Sequence, residues 1–511
     1  MKNKKTLIYA SRFMIIFLSI ISQAIAIWVL FFILGQRYAW VEVALNVLGV
    51  ILFAYVVNKN QGAVYKLPWV VLILIAPLGG LVIYYTFGNL KLSKKQMKSF
   101  RHVYDESHDE YYRQDEVLKR MDGEKIDSRG IFKYVRSVTS LPVFDNSKAT
   151  YIPTGEDFLE SLVSEISKAE RYVFLEYFII EEGEMWDRIF TVLKFKMAKG
   201  VKVYLMYDDV GSISKVPRGF NKTLCEEGID ARRFFKFVPI VSVIHNNRDH
   251  RKIAVIDGKV GFISGANIAD EYINVKKPFG RWLDNAVKLE GQAVDSLIRL
   301  FVQLYNMAGS PALLEKDFII KEHQTFSDGY IMPFGDSPSP IDDDHIAENV
   351  YLDIITRSDD YLYIATPYLI VDTNILDALK NAVRRGVDVR VIIPEIPDKK
   401  PVFMMTKNAC ASLMEAGVKI YQYRGGFIHS KTFLSDGEIA VVGTANLDFR
   451  SLVHHFECAT LLCQTSSIKD LYADFNRLFD NECIRCGKKE LSLKWYEKPI
   501  RAVLSILAPL M

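Results

Sequence analysis

Excess charge of one sign is what this 511-residue sequence most plainly lacks: 64 lysines and arginines stand against 61 aspartates and glutamates, a formal net charge of +3. A nucleic-acid partner would call for a basic surplus, so any basic site here has to be local. Cysteine is sparse as well. Cys225, Cys410, Cys458, Cys463, Cys483 and Cys486 show no spaced framework of the kind that staples small secreted domains. They read as buried thiols in a reducing compartment. Cys483 and Cys486 make a single C-x-x-C, but a structural zinc needs four ligands and no second pair accompanies it. No staple is required, because a chain of this length can bury a large core and hold two or three domains.

Also missing is a short apolar leader with a small-residue cleavage site. Instead, three long apolar stretches crowd the first ninety residues: Arg12 to Leu34, Ala39 to Val57 and Leu67 to Phe87. Each approaches the roughly 20 residues that span a bilayer, so residues 1–90 are expected to be a transmembrane helical segment. Basic residues flank the block on both sides (Lys2, Lys4, Lys5 and Arg12; Lys91, Lys94, Lys95, Lys98 and Arg101), which an odd number of spans cannot keep on one side. Glu42 and Asn46 in the second stretch and Pro77-Leu-Gly-Gly80 in the third leave room for a re-entrant or interfacial piece. A cell-membrane location with a cytoplasmic catalytic region is the expectation. Residues 91–150 read as a juxtamembrane helix or linker. Residues 485–511 read as an amphipathic tail, with Ile500, Val503, Leu504 and Leu507 at helical spacing.

What the sequence does have is a duplication. Arg171 to Ile180 is a β-rich run, followed by a helical stretch and a strand from Gly200 to Tyr207; Tyr361 to Ala365, a helical Ile375 to Arg385 and Gly386 to Ile393 repeat that order. Strand, helix and Gly-Val-x-Val strand, twice, predicts an α/β fold with a parallel or mixed sheet in each half. The halves are placed at 151–310 and 346–484. The linker between them, 311–345, is marked by Pro333, Gly335, Pro338, Pro340 and Asp342 to Asp344.

The duplication tightens around the polar residues. His250, Lys252 and Asp257 are matched in type and spacing by His429, Lys431 and Asp436, and Asn267 and Asn446 each lie seventeen residues beyond their histidine. In a strand, residues two apart face the same way, so each histidine projects beside a lysine. Asp257 and Asp436 complete the candidate catalytic set by spacing, but they stand at the turns that end their strands, where holding structure suits them better than touching substrate. A lone H-x-K is weak evidence. Two copies with the same downstream Asn are strong evidence for a duplicated function.

With this doubled H-x-K-x4-D motif the sequence resembles the phospholipase D superfamily, and within it the bacterial cardiolipin synthases. The likeness is carried further by Leu67-Pro-Trp, Leu175-Glu-Tyr-Phe178, Tyr207-Asp-Asp-Val-Gly-Ser212, Arg248-Asp-His-Arg-Lys252, Thr366-Pro-Tyr368, Gly426-Phe-Ile-His-Ser-Lys431 and Asn446-Leu-Asp-Phe-Arg-Ser451. The resemblance implies two repeats around a pseudo-two-fold axis, both histidines at one phosphate, and no metal or other cofactor. It implies His250 as nucleophile, forming a phosphohistidine, and His429 as acid and base, although the near-symmetry of the halves also fits the reverse. Lys252, Lys431, Asn267 and Asn446 are expected around the phosphate oxygens, with Thr444 where the family often has serine and Gly265 as its counterpart. Asp284 and Glu457 resemble the family's carboxylates behind the rings, each following the histidine of its own half, Asp284 at the greater distance. Two imidazoles beside two lysines are expected to share one proton near neutral pH. His454 and His455, next to the second site, are expected to be solvated or packed, with lining that site as the alternative. The implied reaction passes a phosphatidyl group from one phosphatidylglycerol to another, with membrane lipids as partners and no nucleic acid. The rivals are another phospholipase D-type hydrolase or phosphatidyltransferase, a nuclease, and a non-catalytic membrane scaffold.

Overall fold

The computed structural model describes residues 39–59, 63–75, 115–236, 247–338, 344–487 and 489–508, with a few single positions between them. Two compact units result: a large one from Ser93–Lys236 and Asn247–Arg501, and a small one that includes Met1–Leu92.

In the large unit, the first half contributes strands β1 (Ser147–Ile152), β2 (Tyr172–Tyr177), β3 (Lys202–Asp208), β4 (Asp230–Phe234), β5 (Lys252–Ile256), β6 (Val260–Ser264), β7 (Arg281–Leu283) and β8 (Ala286–Gly291). The second contributes β9 (Tyr330–Asp336), β10 (Tyr361–Ala365), β11 (Leu369–Ile370), β12 (Asp388–Pro394), β13 (Lys419–Tyr423), β14 (Gly426–Ile428), β15 (Thr432–Ser435), β16 (Ile439–Gly443), β17 (Leu447–Asp448), β18 (Glu457–Cys463) and β19 (Cys483–Arg485). Seven strands form one sheet in the order β1-β8-β6-β5-β2-β3-β4, and eight form the other in the order β9-β18-β16-β15-β10-β12-β13-β19. Apart from β19 the orders are the same. Both sheets are mixed: β2, β3 and β4 run parallel, as do β10, β12 and β13, while the remaining neighbours are antiparallel.

Local chemistry explains the repeat. Helix Gly155–Lys168 starts where the Thr154 hydroxyl accepts the Asp157 N–H, and helix Thr373–Arg384 where Asp372 accepts from Asn374 and Ile375. Gly200 (φ 91°) and Gly386 (φ 104°) hold the left-handed conformation between helix and strand, which an L side chain resists. The strands that follow are buried on both faces from Leu205 and from Val391 onward, as central parallel strands are, while Lys202, Asp388 and Arg390 keep some exposure at their starts. Helix Val294–Ala308, buried along nearly its whole length, packs against strands of the first sheet and against β9.

One element lies where a linker was expected. Tyr330–Asp336 pairs along its whole length with β18 as the edge strand of the second sheet. Pro333 is tolerated there because an edge strand has one side without ladder bonds. Within the expected linker, 311–345, residues 339, 340, 342 and 343 lie outside the described residues.

In the small unit, helices Ala39–Val57 and Ala63–Ile75 are described, and Val56, Trp69, Ile73 and Tyr84 form a small buried cluster. Val43, Val47, Val50, Ile51 and Leu74 are exposed. Among the described residues no helix is long and apolar enough to cross a membrane. The longer one has 19 residues, about 28 Å at the α-helical rise. The stretch from Arg12 to Leu34 lies almost wholly outside the described residues. In the tail, Glu497–Leu507 is helical with Ile500 and Val503 exposed.

Candidate active site

His250 and His429 each sit just before a central strand of their sheet, β5 and β15. Alternation then turns Lys252 and Lys431 to the same side, where each ammonium folds back to donate to the carbonyl oxygen of its own histidine. The H-x-K segment of each half is anchored on the other half. His250 N–H donates to Phe456 O at 2.9 Å and Phe456 N–H to Arg248 O at 2.8 Å. In the mirror position β14 pairs with β7, and His429 N–H donates to Leu283 O at 2.7 Å.

That exchange decides which carboxylate serves which ring. His250 Nδ1 lies 2.9 Å from both oxygens of Glu457, and His429 Nδ1 lies 2.6 Å from Asp284 Oδ2. Each acid therefore supports the histidine of the opposite half, not its own as the order along the chain implied. The reciprocal backbone pairing is the reason, since Glu457 directly follows Phe456 and Asp284 directly follows Leu283. With Nδ1 facing a carboxylate, each ring's Nε2 is left for chemistry.

The two settings differ in detail. Thr444 donates its hydroxyl to Glu457 Oε2 and accepts the Cys458 N–H at 3.0 Å. It therefore holds the carboxylate, which corrects its expected place among the phosphate-binding groups. Its counterpart Gly265 makes room: a Cβ there would lie 2.0 Å from Asp284 Oδ1. That oxygen accepts the Asn285 N–H at 3.0 Å.

Asn267 donates to the Tyr272 hydroxyl at 2.6 Å and accepts the Ile179 N–H at 2.9 Å, which leaves one amide hydrogen uncommitted. Asn446 donates to Ser451 Oγ at 3.1 Å, and its buried Oδ1 has no hydrogen-bond partner among the described residues. Asp257 and Asp436 stand apart from this group. Each accepts three successive backbone N–H groups, those of Glu170, Arg171 and Tyr172 and those of Asp359, Asp360 and Tyr361. Both tie the start of the neighbouring strand to the far end of the motif strand. This corrects their inclusion among the catalytic groups on spacing alone.

Burial dominates the electrostatics. It holds His250 well below the ordinary imidazole value, with Lys252 and Lys431 adding to the effect. It brings His429 down to about 4, with Lys431 lowering and Asp284 raising. Lys252 falls to about 8 and Lys431 to about 7, again chiefly through burial. Burial would raise Asp284, but His429 and Lys431 overcome it and keep the carboxyl low. Each lysine depresses the histidine of the other half as well as its own, so all four groups share one pocket. These directions favour the neutral form of both rings. An anionic phosphodiester between them supplies the charge that favours a proton on one.

Several residues that the sequence analysis gave no catalytic role also shape the site. Asp208, fully buried, caps the helical turn at Asp209–Ser212, accepts the Asp249 N–H at 3.2 Å and faces Arg248 at 3.6 Å. It thereby fixes the loop that leads into His250. Phe178 lies 5.0 Å from the His250 ring, and Tyr272 and Trp282 lie 5.6 and 5.2 Å from His429. These apolar walls limit water. His455 is buried rather than solvated, its ring 5.2 Å from that of His250 and its Nδ1 3.5 Å from Glu457 Oε1. His250, His455 and Glu457 bring metal-type donor atoms within 4.8 Å of one another. The ammonium groups of Lys252 and Lys431 in the same pocket oppose a cation there. The two ammonium groups suit an anion better. Such a site can attack a phosphodiester with one ring, protonate the leaving oxygen with the other and hold the non-bridging oxygens with two lysines.

The comparisons with known proteins agree. Residues 162–298 and 351–479 match the family described as "Cardiolipin synthase, PLD-like domain". A Streptococcus mutans protein of unassigned function is 39% identical over 89% of this chain and 99% of its own length. A cardiolipin synthase of a Geobacillus species is 33% identical over 83% of this chain and 85% of its own. Among solved structures, phosphatidylserine synthase from Haemophilus influenzae has the same fold, with a TM-score of 0.56 at 14% identity over 75% of this chain and 97% of that one.

Proposed function

The chain belongs to the cardiolipin synthase family of phospholipase D-like proteins and is a phosphatidyltransferase that makes cardiolipin, and we propose that it does so from two phosphatidylglycerol molecules through a phosphohistidine. His250 Nε2 attacks phosphorus of the first lipid while His429 gives a proton to the departing glycerol oxygen. The phosphatidyl group is then bonded to His250. A hydroxyl of the second phosphatidylglycerol, losing its proton to His429, attacks the same phosphorus and frees His250. Two phosphatidylglycerols become one cardiolipin and one glycerol. Lys252 and Lys431 hold the non-bridging oxygens throughout, with the uncommitted amide hydrogens of Asn267 and Asn446 beside them.

The pair of crossed histidine–carboxylate contacts carries this reading: two buried imidazoles, each with Nδ1 on a carboxylate, over two buried lysines. What supports His250 as nucleophile is that burial, Lys252, Lys431 and His429 all hold it in the neutral form, which leaves a free lone pair. Asp284 at 2.6 Å returns part of what burial takes from His429, as an acid requires.

The N-terminal segment is assigned to the membrane as a multi-pass anchor, with the catalytic region on the cytoplasmic side. Supporting this are the exposed Val43, Val47, Val50, Ile51 and Leu74 and the flanking basic residues. Anchoring keeps donor, acceptor and site in one plane.

Full-length enzyme in vesicles with headgroup-phosphate-labelled phosphatidylglycerol tests the proposal. Labelled cardiolipin should form, and rapid alkaline quenching should leave label on the wild-type protein and none on His250→Ala. Phosphatidic acid without cardiolipin would make the chain a hydrolase. Label retained on the His250→Ala protein would exchange the two histidine roles.

A further inference from the structure

Glu457 is the meeting point of two imidazoles. His250 approaches it through Nδ1 at 2.9 Å, and His455 Nδ1 stands 3.5 Å from Oε1, close to the carboxylate without forming a hydrogen bond. The two rings lie 5.2 Å apart with planes inclined by 40°. In an imidazole the nitrogens flank Cε1 on opposite edges of the ring, so a ring that faces a group through Nδ1 sends Nε2 away from it. Both rings therefore leave Glu457 as neighbours, and both present Nε2 on the side away from it. Their side chains keep similar slivers of exposure, 8% for His250 and 9% for His455.

The duplication supplies an independent comparison. Glu457 corresponds to Asp284, so His455, two residues before Glu457, corresponds to Trp282, two residues before Asp284. Trp282 stands 5.2 Å from His429, the separation at which His455 stands from His250. One half thus sets an indole wall beside its histidine, and the other sets an imidazole. Packing alone is met by the indole. The imidazole adds a nitrogen acceptor beside the position where phosphorus is bonded.

We propose that His455 binds the glycerol headgroup: its Nε2 accepts a hydrogen bond from a hydroxyl of phosphatidylglycerol beside His250, selecting a polyol headgroup over water. This rests on the reaction proposed above. Burial, chiefly, drives His455 down to about 3, so at neutral pH the ring is uncharged, with Nδ1–H toward Glu457 and the Nε2 lone pair open. The hydroxyl keeps its proton in this contact, and His429 remains the base.

Replacement by amides separates this role from simple support of Glu457, because asparagine places its amide near the Nδ1 position and glutamine near Nε2. Full-length His455→Asn, His455→Gln and His455→Phe enzymes are compared with wild type in phosphatidylglycerol vesicles. KM and the ratio of cardiolipin to phosphatidic acid are read, with thermal melting as the check on folding. The asparagine and phenylalanine variants should lose about ten-fold in that ratio and gain about ten-fold in KM, the worth of one hydrogen bond, and glutamine should recover most of both. Recovery by asparagine but not glutamine would reduce His455 to a support for Glu457. A uniform fall in kcat at constant ratio and KM, or no change in any variant, would also overturn the proposal. Should phenylalanine fail to fold, the two amides still decide. A wild-type enzyme that makes no cardiolipin would instead sink the underlying reaction.

Discussion

Asp284 reaches His429 at 2.6 Å and Glu457 reaches His250 at 2.9 Å, while burial depresses both imidazoles. Of the groups around His429, Asp284 raises its pKa and Lys431 lowers it. Asp284→Asn is therefore expected to push His429 below about 4. The limb of the kcat–pH profile that needs imidazolium should move to lower pH, with kcat at neutral pH falling by about 10²–10⁴-fold. An unmoved limb would remove His429 from the acid role. Folding stability has its own sign. A histidine whose folded pKa lies below its unfolded value of 6.5 is neutral in the native state, and the unfolded chain takes up protons first as pH falls. Stability should therefore decline as pH drops from about 6.5 towards the folded values, and above neutrality it should go on rising with pH, because Lys431 and Lys252 lose their protons near 7 and 8 in the folded protein but keep them to about 10.5 in the unfolded chain. Urea unfolding from pH 8 to pH 5 would show it. The doubled His-x-Lys pairs were legible in the sequence because alternation and a doubled spacing are local facts. The partner carboxylates were legible as residues but not as pairs: His250 and Glu457 are 207 positions apart, and His429 and Asp284 are 145 apart. His455 had a signal, since it and Glu457 lie either side of Phe456 as His250 and Lys252 lie either side of Arg251.

At the scale of elements, the paired strands and their connecting helices could be read from hydrophobic runs and from the Gly-Val-x-Val starts. The edge strand at Tyr330–Asp336 could not, because Pro333 and Gly335 in a proline-rich stretch signal a break unless the open side of a sheet is known to be there. Asp257 and Asp436 show what the last letter of the motif does. Each gathers three N–H groups at the start of the adjacent strand from a turn with positive φ, 55° and 54°. Asp257→Ala leaves those donors unmet and is expected to cost about 3 kcal/mol of stability. Enzyme still folded should keep its KM and its labelled intermediate. A loss of labelling without a loss of melting temperature would return Asp257 to the chemistry. The turn at Gly265 gives the opposite pattern. Gly265→Ala puts a methyl carbon where Asp284 Oδ1 now lies, so transfer should fall about 100-fold while the melting temperature changes little. An equal loss of both would mean that the turn, rather than the carboxylate, had moved.

At the scale of the whole molecule, a buried catalytic pocket and an N-terminal segment with exposed apolar side chains belong to one chain. If Val43, Val47 and Val50 meet lipid, replacing all three with serine should lower the membrane-bound fraction in cell fractionation. Transfer in mixed detergent–lipid micelles should stay near wild type. Unchanged partitioning would shift the anchor to other parts of the segment. The number of spans was never legible, because charge lies on both flanks of the apolar block. The repeat, by contrast, was plain in the sequence. Its crossed carboxylates have a further consequence for heredity. A gene spliced at the inter-half linker from two lineages would set each histidine beside an acid with which it had no shared history. The two halves are therefore expected to drift together, with compensating changes paired across the linker.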